Sequence, residues 1–210
     1  LIVMLPSLCA MPVWAEVSEP AIRLGPKTMT VHQSKSLVGP SVQVDEQGNV
    51  SSAWVDEDKE TRTNYFARSE QPGGPLGKPV AVNQPTEQVY YRQESPALVI
   101  HGNDVFISWS MTHPKLTPEK PFAGELRLSR SDDGGRTFAP SILVNDDGQV
   151  IQHTFDSIRI APDGAVHMAW IDGREGKKEP GTFVARSRDQ GHTITKNVKI
   201  DENTCVCCRT

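Results

Sequence analysis

Three stretches of the chain follow one plan: VDEQGNVSSAWVDED, VIHGNDVFISWSMTH and IAPDGAVHMAWIDGR. In each, an alternating apolar segment reaches a glycine turn at Gly48, Gly102 or Gly164. A second alternating segment then ends in tryptophan at Trp54, Trp109 or Trp170. A period of two along short segments is the pattern of half-buried strands. Each unit continues through an Arg-Ser pair, at Arg68-Ser69, Arg130-Ser131 and Arg186-Ser187, and then a short strand-like run, KPVAVN, PSILVN or KNVKID. The pairs lie 62 and then 56 residues apart, and no helical stripe interrupts them. A period of this length is the signature of a repeat architecture. Four short strands per unit cannot bury both faces of their own sheet, so neighbouring units must cover them. The pattern therefore predicts an all-β fold, a β-propeller of four-stranded antiparallel blades. The repeated indole is predicted to fill the seam between blades. Three complete blades are expected here, within a ring of six when complete, and a fourth unit is expected to begin near Cys205. An oligomer that completes the ring is the alternative.

Composition narrows the function classes. The 210 residues are 37% hydrophobic and 23% charged, with a net charge of -4. That is ordinary globular usage, and it supplies no basic field for nucleic acid. The first fifteen residues, LIVMLPSLCAMPVWA, differ from the rest. They are apolar, too short to span a bilayer, and close on Val13-Trp14-Ala15, a small-x-small cleavage pattern. We read residues 1–15 as part of a secretory signal and 16–39 as a lead-in. Residues 40–210 are read as the propeller domain, incomplete at its C-terminal end. A buried N-terminal strand is the alternative for residues 1–15. A lipoprotein signal fits less well, because Leu8 precedes Cys9. The expected location is secreted or periplasmic, with no membrane span.

A second motif recurs after the third strand of each unit. It reads Ser131-x-Asp133-x-Gly135-x-Thr137-Phe138, then Ser187-x-Asp189-x-Gly191-x-Thr193-Ile194, with a reduced copy at Ser69-x-Gln71-x-Gly73. A carboxylate beside a turn accepts hydrogen bonds from local backbone N–H groups, and glycine supplies positive φ. Asp133 and Asp189 are therefore expected to be scaffold. EF-hand ligand spacing is lacking. The motif resembles the Asp-box, or bacterial neuraminidase repeat, of the sialidase superfamily. The resemblance covers roughly residues 40 to 200.

Strand parity sorts the loops. Turns after strands one and three share one face, so the loops after strand two and between blades share the other. The second face is richer in functional side chains, among them Asp56, Arg62, Tyr90, His113, His153 and Asp156. In the family this face carries the active site. The resemblance implies a glycoside hydrolase that releases a terminal sialic acid or related acidic sugar from a glycan or glycoconjugate, without a cofactor. It implies arginines for the substrate carboxylate, assigned to Arg92, Arg174 and Arg209, because a planar guanidinium matches a carboxylate in bidentate fashion. It also implies a Tyr nucleophile with an assisting Glu and an acidic group, assigned to Tyr91, Glu94 and Asp172. A non-catalytic propeller that binds glycan, protein or metal through the same face is the alternative. No resident metal is expected. The weaker metal candidates are Cys205, Cys207 and Cys208, whose other readings are disulfide bonding and exposed redox thiols. The oligomeric state stays open.

Overall fold

The computed structural model describes residues 37–58, 61–89, 95–176, 180–202 and 204. Among the described residues, twelve strands form three four-stranded antiparallel sheets. Blade I holds β1 (Leu37–Val44), β2 (Val50–Asp58), β3 (Thr61–Arg68) and β4 (Val80–Ala81). Blade II holds β5 (Ala97–His101), β6 (Asp104–Thr112), β7 (Gly124–Ser131) and β8 (Ile142–Leu143). Blade III holds β9 (His153–Ile160), β10 (Val166–Asp172), β11 (Gly181–Ser187) and β12 (Val198–Asp201). Strand order follows chain order in every sheet, and the described residues contain no helix. This is the β-propeller arrangement the repeat predicts. The fourth unit expected near Cys205 lies outside the described residues.

Alternation along the second strand of each blade builds the seams. On β6, Val105, Ile107, Trp109 and Met111 face blade I, where they pack with Ala53, Val55 and Phe66. On β10, Val166, Met168 and Trp170 face blade II and pack with Phe106, Leu126 and Leu128. Trp109 and Trp170 are fully buried in these layers. Trp54 sits on the face of β2 opposite Ala53 and Val55, stacked on Tyr65 with ring centroids 6.1 Å apart. Trp109 and Trp170 thus point toward the preceding blade, and Trp54 lies on the corresponding face of its own sheet. The opposite face of β6 carries Ser108 and Ser110, both buried, which donate to blade III: Ser108 Oγ to Asp156 Oδ2, and Ser110 Oγ to the His153 carbonyl at 2.8 Å.

Straps between blades complete the packing. Val89 N donates to the Arg62 carbonyl and Thr112 N to the Gln88 carbonyl, so one strap joins β3 to β6. The next strap repeats the device, with Gly124 N donating to Ile151 O at 2.9 Å and Gly173 N to Gln152 O at 3.0 Å. Asn83 and Asn145 close the outer strands by accepting the backbone N–H of Asn64 and Leu126.

Two of the three innermost strands, β1 and β9, carry the same irregularity. The register of β1 shifts between Val38 and Ser41, where Gly39 has φ 58°. The register of β9 on β10 shifts at the equivalent place, between Ala169 and Ile171, where Phe155 has φ 56°. A bulge of this kind re-aims the next side chain. The side chain that follows is Pro40 in blade I and Asp156 in blade III.

Candidate functional site

The Asp-boxes are scaffold. Ser131 Oγ accepts the Gly135 N–H at 2.9 Å and donates to Asp133 Oδ1 at 2.7 Å. Asp133 in turn accepts from Thr137 N at 3.0 Å and from Thr137 Oγ1 at 2.7 Å. The second copy is wired alike through Ser187, Asp189, Gly191 and Thr193. Burial pushes the Asp133 carboxyl upward, but hydrogen bonds from Ser131 and Thr137 outweigh it and hold the group well below the usual range. Hydrogen bonds from Thr193 and Ser187 do the same to Asp189. Phe138 returns to the first seam, edge-on to Phe66 at 5.6 Å, and Ile194 packs against the second. An aliphatic residue thus fills the position taken by Phe138 in the other copy. The Asp-box turn also meets the turn after strand one, because Gly134 N donates to Asn103 O at 2.9 Å. This places both on the face opposite the strand-two loops.

On that second face, the sequence candidates divide. Tyr91, Arg92, Glu94, Arg209, Cys205, Cys207 and Cys208 lie outside the described residues. Asp172 ends β10 and is 0% exposed. Its Oδ1 accepts Arg174 N at 2.9 Å and Nε at 3.0 Å, and its Oδ2 accepts Trp170 Nε1 at 2.9 Å and Arg174 Nη2 at 2.8 Å. Arg174 extends the network to Asp146 Oδ1 at 2.8 Å and Asn197 Oδ1 at 3.0 Å, with its guanidinium 4.2 Å above the Phe183 ring. Charge-assisted pairs of this kind are strong and geometrically specific.

Behind Asp172 lies His153, also 0% exposed. Its Nδ1 lies 2.7 Å from the Gly124 carbonyl, which fixes a proton on that nitrogen. Its Nε2 lies 3.2 Å from Asp147 Oδ1 and 3.6 Å from Asp172 Oδ2, within ion-pair reach but without a hydrogen bond to either. Burial lowers the affinity of His153 for a second proton; the flanking Asp147 and Asp172 carboxylates and the Gly124 carbonyl reverse this, and the net shift is upward. Burial likewise raises the Asp147 carboxyl, and its His153 and Asn145 neighbours overcome this to hold it at about 2. A neighbouring group joins His113 Nε2, 3.8 Å from Glu125, to Arg127 through the same carboxylate.

A groove opens beside this network. A groove of about 620 Å³ lies between the loops after β6 and β10, walled by Pro121, Phe122, Val150, Ile151 and Pro180, with Lys120 at its edge. Phe122 is 58% exposed. The lining also includes Gln152 and Gly173, the chain neighbours of His153 and Asp172, so the charged network adjoins the groove. A smaller hollow of about 220 Å³ lies among β1, β5 and β9, with Ser41, Gln43, Asp156 and Arg159 in its lining. The sequence reading picked out Asp172, Arg174, His153 and Asp156 on this face. It missed Asn145, Asp146 and Asp147, on the segment between blades II and III, and Asn197, just before β12 of blade III. Only the repeated Asn83 and Asn145 at the strand-four ends offered a signal.

Comparison with family descriptions and with curated proteins found no match. Solved structures share the fold. An α-L-arabinanase of Penicillium chrysogenum superposes with TM-score 0.55 at 9% identity, over 78% of this chain and 50% of that one. A GH93 α-L-arabinofuranosidase of Fusarium graminearum gives TM-score 0.55 at 11% identity, over 78% and 50%. An endo-arabinase of Bacteroides thetaiotaomicron gives 0.52 at 16% identity, over 77% and 60%. The chain spans about half the length of these structures. Its structural neighbours are propeller glycoside hydrolases, and the likeness establishes the propeller fold.

Proposed function

We propose that this chain is part of an extracytoplasmic, carbohydrate-active propeller that engages a glycan on the face of the strand-two loops. The observation that carries the reading is the groove walled by Phe122 and its neighbours. An exposed aromatic beside prolines suits the apolar face of a sugar ring, and Lys120 at the rim suits an anionic substituent. The propeller glycosidases that share the fold support a glycosidic substrate, and the Asp-box repeats favour a terminal acidic sugar of the sialic acid type. In this reading Tyr91 and Glu94 form the nucleophilic pair and Arg92 and Arg209 bind the substrate carboxylate. Asp172 and Arg174 position the surrounding loops rather than touch the sugar, because each holds the other.

The test is turnover of a fluorogenic sialoside by the purified protein, run beside an α-L-arabinofuranoside. Sialoside turnover that falls about 10²–10⁴-fold in Glu94→Gln is the expected result. Turnover of the arabinofuranoside alone replaces the substrate assignment. A second reading, a glycan-binding propeller without hydrolysis, is favoured by the mutual engagement of Asp172 and Arg174. Binding of a glycan array without turnover of either substrate selects it, and Phe122→Ala then weakens that binding.

A further inference from the structure

The buried His153 network has a geometry that the proposed glycan chemistry does not use. One ligand atom each of Asp147, His153 and Asp172 lies within 4.8 Å of the others. The separations from Nε2 are 3.2 Å and 3.6 Å. A tetrahedral zinc shell with bonds of about 2.0–2.1 Å has ligand-to-ligand edges of roughly 3.3–3.4 Å, so these spacings suit a shared cation. Three further observations point the same way. Nε2 is fully buried and makes no hydrogen bond, although two carboxylates flank it. The other ring nitrogen is tied to the Gly124 carbonyl, the outer-shell partner that sets the tautomer of a metal-binding histidine and leaves Nε2 as the ligand. Asp147 offers a second buried oxygen, Oδ2, that is without a hydrogen-bond partner, and its side chain is only 5% exposed.

The supporting shell is also in place. Asn145 Nδ2 donates to Asp147 Oδ1 at 3.0 Å and orients that carboxylate. Asp172 is fixed through Oδ1 by Arg174 N and Nε. Asp172 Oδ2 accepts both Trp170 Nε1 at 2.9 Å and Arg174 Nη2 at 2.8 Å, so a cation there shares the oxygen with the indole and displaces the guanidinium bond, and Arg174 Nη2 keeps a second acceptor in Asn197 at 3.0 Å. Charge favours occupancy. Asp146, Asp147 and Asp172 face a single guanidinium, and a divalent cation bound by neutral His153 brings the group to neutrality.

We propose that Asp147, His153 and Asp172 form a structural site for a zinc-class divalent cation. The cation would pin the strap before β9 to the end of β10, beside the groove. The ligands come from the interblade segment and two neighbouring strands of blade III, with Gly124 of blade II behind the histidine. Bound metal would therefore tie the second seam together at the face where the loops gather.

The test uses the full chain with Cys9, Cys205, Cys207 and Cys208 replaced by Ser, so that thiolates contribute no signal. The protein is stripped with chelator, checked for fold by circular dichroism, and titrated with cobalt(II) and then zinc. The expected result is one cobalt per chain, with the visible band of a four-coordinate N/O site, displaced by zinc. Asp147→Asn, which keeps the shape of the side chain, weakens cobalt binding more than about 100-fold, beyond the range of an outer-shell change. Folded protein that takes up no cobalt or zinc overturns the proposal, as does cobalt binding unchanged in folded Asp147→Asn. Should Asp147→Asn not fold, the ¹⁵N shifts of His153 in the parent protein decide. A shift of Nε2 on zinc addition supports the site, and a doubly protonated ring unaffected by zinc removes it.

Discussion

At the scale of single residues, two glycines with the same backbone demand separate conformation from contact. Gly135 has φ 87° and Gly164 φ 81°, both in the left-handed region. A Cβ at Gly164 would meet nothing within 4 Å, whereas one at Gly135 would fall 2.0 Å from Cε1 of Phe66 in the preceding blade. Gly164→Ala is thus expected to cost about 1–2 kcal/mol, the strain of a left-handed L-residue. Gly135→Ala adds an overpacked seam of about 1–3 kcal/mol to that strain. Chemical denaturation of the two variants measures the difference, and equal losses would show that Phe66 yields freely. The spacing of the Asp-box predicted the turn conformation. It did not show that the glycine is also where one blade receives the aromatic ring of another, because that contact joins residues far apart in the chain.

At the scale of the element, each Asp-box is a turn held by an ionised carboxylate, and its contribution follows pH. Asp133 and Asp189 both titrate well below the usual range in the folded state, and Asp45, held chiefly by Asn49, is lowered to about 2. A carboxyl with a depressed folded value binds its proton more readily in the unfolded chain. The stability it adds is complete above about pH 4 and is lost as pH falls further toward the folded value. Denaturation midpoints measured from pH 6 down to pH 3 should therefore fall, and the fall should be shallower in the Asp133→Asn, Asp189→Asn double variant. This element was readable in the sequence because it is local: serine, aspartate, glycine and threonine within seven positions make the whole hydrogen-bonded unit. The strands and the seam tryptophans were readable for a related reason, since alternation is a local pattern and three copies remove ambiguity. The network around His153 was not readable. Asp146 and Asp147 sit on one segment, Asp172 and Arg174 on another, and Asn197 on a third, and only the closure of blade III against its strap brings them together.

At the scale of the molecule, the blades form an array whose two described seams have separate hydrophobic layers, one around Trp109 and one around Trp170. Stability in such an array is a sum of unit and nearest-neighbour terms. Trp109→Ala and Trp170→Ala should each cost about 3–5 kcal/mol. In the milder pair Trp109→Phe and Trp170→Phe, the double variant should lose the sum of the single losses to within about 0.5 kcal/mol. A larger deviation, read from denaturation curves of the four proteins, would show that blade II transmits strain from one layer to the other. The common direction of the indoles has a wider consequence. Blade II carries a plug toward blade I and a socket for blade III, a head-to-tail joint rather than a symmetric one. A duplicated unit slipped between two existing ones would meet ready-made surfaces at both of its sides. Ring size in such a lineage is thus governed by copy number and the rotation per unit, and growth requires no new seam chemistry.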